Sequence, residues 1–82
     1  MSEQSPLDLK SLRHFAALVE HQGFIRAGEA IGLSQPALSR SIQTLEHRLG
    51  CALIKRGGKG VELTPQGQLV LAHAKRLLAG ST

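Results

Sequence analysis

Between Leu9 and His21 the apolar side chains Leu9, Leu12, Phe15, Ala16 and Val19 recur at threes and fours. That spacing lays one buried stripe along a helix over about residues 9–21, with Asp8 as its N-cap and Gln22-Gly23 as its end. A second helix is expected from about Phe24 to Ile31, closed by Gly32. Ser34 then caps a third, and Pro36 falls in its first turn, where a missing N–H costs nothing. At a helical period, Leu38, Ile42, Leu45 and Leu49 share one narrow seam. Burying that seam turns Pro36, Arg40, Gln43 and His47 outward, flanked by Ser39 and Thr44.

Beyond Gly50 the helical period gives way to short extended segments, expected at Cys51–Lys55 and Val61–Leu63 around the turn-rich Arg56-Gly57-Gly58-Lys59-Gly60. A hairpin this small cannot stand alone and must lean on the helices. Thr64-Pro65 restarts a helix that runs to about Ala79. Here Val70, Leu71, Ala74, Leu77 and Leu78 make a broad stripe, while Leu69 and Ala72 point to the other side. A helix apolar on two sides has to be covered twice. A second copy of the chain is expected to supply the outer cover, through Leu69, Val70, Ala74, Leu77 and Leu78.

The fold class that follows is mainly α: a winged helix-turn-helix, with a three-helix core, a small β-hairpin wing and a C-terminal linker or dimerisation helix. Residues 1–8 are expected to be a disordered N-terminus, 9–64 the winged domain and 65–82 the linker helix. Within the domain, the helix-turn-helix spans about 24–43 and the wing about 51–63.

Composition bears on the partner. The chain has 82 residues and 41% apolar content, enough for one small domain, with two Phe and no Trp or Tyr. Single-strand binding by base stacking is therefore disfavoured. The net charge of +4 is unevenly spread: residues 1–33 sum to −1, whereas 34–64 sum to +3. Positive charge gathers around the third helix and the hairpin, as a phosphate-binding surface requires.

At the start of that third helix, Gln35 can pair with adenine and Arg40 with guanine or a phosphate, while Ser34 and Ser39 are short donors and acceptors. The Ala37 methyl fits a thymine methyl, and Pro36 and Gln43 lie on the same outward face. Lys55, Arg56 and Lys59 suit a wing along the DNA backbone or in a narrow minor groove.

Other chemistry is poorly supported. Gly57-Gly58 is followed by no Gly-Lys-Ser/Thr, so it is no P-loop. His14, His21, His47 and His73 have no metal-ligand spacing, and no nucleophile–base–acid set is visible; neither an enzyme nor a cofactor is expected. The single cysteine, Cys51, leaves no internal disulfide and fits a small buried hydrophobe in a reducing compartment. No apolar run approaches a membrane span and the N-terminus has no signal-peptide pattern, so a cytoplasmic protein is expected.

Taken together, Leu9-x-x-Leu12-Arg13-x-Phe15, Arg26-Ala27, Leu33-Ser34-Gln35-Pro36-Ala37-Leu38-Ser39-Arg40-x-Ile42, Leu45-Glu46, Leu49-Gly50, Leu53-Ile54-x-Arg56 and Leu63-Thr64-Pro65-x-Gly67 cover nearly the whole chain. In these the chain resembles the N-terminal DNA-binding domain of LysR-type transcriptional regulators. The resemblance implies sequence-specific binding of double-stranded promoter DNA by a homodimer paired through the last helix, and transcriptional activation or repression. It implies an effector ligand held by a C-terminal domain absent from this chain. By position it assigns base reading to Gln35, Pro36, Ala37, Ser39 and Arg40, and the wing to Arg56 and Lys59.

Three positions depart from the pattern: Gly23 where serine is usual, Ile25 where threonine is usual, and Gly28 where alanine is usual. The first two remove a hydroxyl cap and a phosphate contact. The third costs up to about 1 kcal/mol of helix propensity, offset by a close helix crossing or expressed as fraying. Two other classes stay open at this point: a winged module that binds protein and no DNA, and a coating protein indifferent to sequence.

Overall fold

The computed structural model describes residues 9–55 and 60–80. In chain order the elements are α1 (Leu9–His21), α2 (Phe24–Ile31), α3 (Gln35–Leu49), β1 (Ile54–Lys55), β2 (Glu62–Leu63) and α4 (Pro65–Gly80). The Asp8 cap, the expected disorder of residues 1–8 and the tip of the hairpin lie outside the described residues.

α1 is the central element, packed against α2, α3 and α4. Its Leu12, Phe15 and Leu18 are completely buried. Ala17 joins them, while Ala16 and Val19 are half-buried and Leu9 is exposed. The single stripe expected from Leu9 to Val19 is therefore too narrow and begins too early. With helices on several sides, α1 buries more of its circumference than one amphipathic face provides. α1 stops because Gln22 takes the left-handed conformation (φ 55°) and its side-chain Nε2 donates to the Val19 carbonyl at 3.0 Å. The turn is thus made by Gln22 itself, and Gly23 is extended.

The α2–α3 turn explains Gly28. The Leu33 N–H donates to the Gly28 carbonyl at 2.8 Å, which folds the turn back on the helix. A Cβ on Gly28 would lie 2.5 Å from the Leu33 carbonyl oxygen. The close approach is to the turn's own backbone, a compensation different from the helix crossing or fraying expected.

In α3 the seam is as spaced: Leu38, Ile42 and Leu45 are buried, and Leu49 packs half-buried against them. The strands are shorter than expected, two residues each, antiparallel, with Ile54 opposite Leu63 and Lys55 opposite Glu62. Residues 51–53 are captured by other partners. The Cys51 N–H donates to the Glu46 carbonyl at 3.2 Å, and the Leu53 and Ile54 N–H groups donate to Glu46 Oε2 at 2.8 and 3.3 Å. The Glu46 carboxylate thus ties the hairpin to α3.

Thr64 ties it to α4. Its Oγ1 donates to the Ala52 carbonyl at 2.7 Å and accepts from the Gly67 N–H at 3.0 Å, while its own N–H donates to the Leu53 carbonyl. One threonine therefore caps a helix and closes the wing. On α4, Ala74 is completely buried in the chain's own core, which corrects its assignment to an outer face. Packing against α1 takes that side of the helix. Leu69 (73% exposed) and Leu77 (38%) remain outside, with Val70 and Leu78 half-buried.

Candidate nucleic-acid interface

The polar face of α3 is built by its N-terminus and its seam together. Ser34 Oγ accepts from the Ala37 N–H at 3.2 Å, and the Ser34 carbonyl accepts from Leu38 at 3.0 Å, so the helix begins sharply. Pro36 occupies the first turn without loss of a bond. With Leu38, Ile42 and Leu45 turned inward, Ser34, Gln35, Pro36, Ala37, Arg40 and Gln43 are all exposed. The structure thus brings these candidates onto one continuous solvent-facing surface. Ser39 is half-buried at its margin.

Exposure at a helix start is the arrangement needed to enter a major groove end-on, because side chains there meet no neighbouring element. The acidic residue of α3, Glu46, is turned the other way, against the hairpin. No acidic side chain of α3 therefore lies among the candidate base readers.

Lys55 is exposed at the end of β1. Arg56 and Lys59, the remaining wing candidates, lie outside the described residues. The dimerisation candidates divide as given above, with Leu69 and Leu77 outward and Ala74 inward.

Sequence reasoning missed three features. One is the Glu46 clamp, for which the signal was an acid one turn before a helix-ending glycine. Another is a hydrogen bond of 2.8 Å between His14 Nδ1 on α1 and Ser41 Oγ on α3. The third is a groove between those helices with Lys10, Arg40 and Arg48 among its lining residues. The last two join residues far apart in sequence, and no local pattern announces them.

Among the described residues no group of three His, Cys, Asp or Glu side chains is placed to hold a metal ion, and Cys51 is a half-buried free thiol. No helix is long and apolar enough to cross a membrane. No buried side-chain nitrogen or oxygen among the described residues lacks a partner.

Comparison with known proteins supplies independent findings. Residues 9–68 match the model of the bacterial regulatory helix-turn-helix proteins of the lysR family. The chain is 64% identical over 73 residues to an SDS degradation transcriptional activation protein of a Pseudomonas species, covering 89% of this chain and 24% of that protein. It is 42% identical over 73 residues to the regulator BenM of Acinetobacter baylyi, with the same coverage of 89% and 24%. The chain thus spans about a quarter of the length of these two relatives. Among solved structures, it is similar to the BenM DNA-binding domain in complex with a catB site DNA, at a TM-score of 0.87 and 42% identity. That match covers 90% of this chain and 80% of that one. The CbnR DNA-binding domain in complex with DNA gives a TM-score of 0.83 at 34% identity, covering 90% and 85%.

Proposed function

The chain belongs to the LysR family of bacterial regulatory helix-turn-helix proteins, and on that premise we propose that it is the sequence-specific, double-stranded DNA-binding part of a transcription regulator. The carrying observation is the capped N-terminus of α3, whose polar side chains stand exposed in a fold that matches domains crystallised on DNA. In this reading α3 lies in the major groove. Gln35 and Arg40 read base edges, Ala37 and Pro36 pack on them, and Ser34, Ser39 and Gln43 complete the surface. Lys55, with Arg56 and Lys59, holds the wing at the backbone or minor groove.

Fluorescence anisotropy with a labelled duplex from the promoter beside the gene, against a scrambled duplex, tests the reading. Preferential binding that weakens steeply with salt is expected, because each neutralised phosphate releases counterions. Equal affinity for both duplexes, or no binding even at low salt, would overturn it.

The same reading extends to assembly. Two copies pair through the outer face of α4, where Leu69 and Leu77 stand exposed. In this reading the whole protein also carries a C-terminal effector-binding domain and works beside the chromosome in the cytoplasm as an activator or repressor. Leu77→Asp places a charge on that face and is expected to halve the mass seen by light scattering while the helical spectrum persists. An unchanged dimer mass would remove Leu77 from the interface.

A further inference from the structure

A groove of about 380 Å³ runs between α1 and α3. Lys10, Ser11 and His14 form one wall and Arg40, Ser41 and Arg48 are prominent in the other. Among the described residues no acidic side chain lines it. Its walls are held at a fixed spacing by the bond between His14 and Ser41. Lys10, Arg40 and Arg48 are all exposed, so their charges reach solvent at the groove's mouth.

We propose that this groove seats a backbone phosphate of the bound duplex, with Lys10 and Arg48 as its cationic grips. The inference rests on α3 being the helix that reads the major groove, and it names the contact made along that helix's flank. A helix lying in the major groove has a phosphate strand passing on either side. On the α1 side the chain offers three cations and hydroxyl groups in a pre-shaped recess. Ammonium and guanidinium groups with hydroxyl donors suit a phosphodiester, and an arginine can grip two of its oxygens. Arg40 is common to the base-reading face and the groove, so the two surfaces are continuous. Lys10 and Arg48 carry no sequence information; they fix how deeply and at what angle α3 sits.

The test compares the wild-type chain with the Lys10→Gln/Arg48→Gln double variant on promoter and scrambled duplexes across a salt series. The wild-type arm alone decides whether the chain reads DNA. For the double variant, the plot of log affinity against log salt should flatten by about 0.9 for each lost phosphate contact. At about 0.1 M salt that is roughly a tenfold loss per contact, equal on both duplexes, so the preference ratio stays as in wild type. Lys10→Arg, which keeps the charge, should bind like wild type. A double variant with wild-type slope and affinity, its thermal melt being unchanged, would overturn the proposal.

Discussion

Gly67→Ala is expected to lower the melting temperature of the domain by about 10–30 °C. Gly67 lies in the first turn of α4, where a Cβ would fall on the carbonyl oxygen of Leu53, just before β1. Both partners are backbone, so no side chain can swing away. The first turn would have to lift off, loosening the bonds from the Thr64 N–H to Leu53 and from the Thr64 hydroxyl to Ala52. Overpacking costs about 1–3 kcal/mol, and each weakened bond about 1 kcal/mol. Helix propensity returns up to about 1 kcal/mol. A net loss of about 2–4 kcal/mol is large against the roughly 4–12 kcal/mol typical of a domain this size, and each kcal/mol moves the midpoint by about 4–8 °C.

Gly23→Ala is the control. It has nothing within 4 Å of its Cβ position and an extended backbone at φ 167°. Its melt should stay within a few degrees of wild type. If Gly67→Ala did the same, the close approach of α4 to β1 would not be a constraint on the fold.

The contrast between these glycines shows what a sequence discloses. Helix limits were legible, because Ser34, Pro36, Gly32 and Gly50 act on backbone groups within four or five residues of themselves. The α3 seam was legible for the same reason: once Leu38, Ile42 and Leu45 go in, helical geometry sends Arg40 and Gln43 out. Gly28 and Gly67 look alike in sequence. One answers to its own turn and the other to the backbone of Leu53, across thirteen residues of intervening chain. Glu46 reads as one more charge on a polar helix, yet two backbone N–H groups of the hairpin end on its carboxylate. Ala74 reads as part of an apolar stripe too broad for one partner, and only packing against α1 decides which portion is inside. Lys10 and Arg48 are separated by most of the helical core, and their shared groove follows from the α1–α3 crossing.

Arg40→Ala is expected to abolish preference for the promoter duplex while leaving the fold intact, since the side chain is exposed and its neighbours Leu38 and Ile42 carry the packing. If Arg40 makes a bidentate contact with guanine, its loss removes about 1–3 kcal/mol of discrimination in each half-site. A dimer on a two-fold operator doubles that, to about 2–6 kcal/mol, a fall of roughly 30-fold to more than 10,000-fold in the ratio of promoter to scrambled affinity. Affinity for the scrambled duplex should fall far less. The position of Arg40, between the base-reading face and the α1–α3 groove, also makes the opposite result interpretable. Were it a phosphate ligand like Lys10 and Arg48, its removal would lower both affinities alike and flatten the salt dependence, with the ratio unchanged. The two roles therefore separate on two axes of one titration. A preserved ratio in Arg40→Ala would move this arginine from the bases to the backbone and leave Gln35, at the tip of α3, as the leading candidate for bidentate base reading.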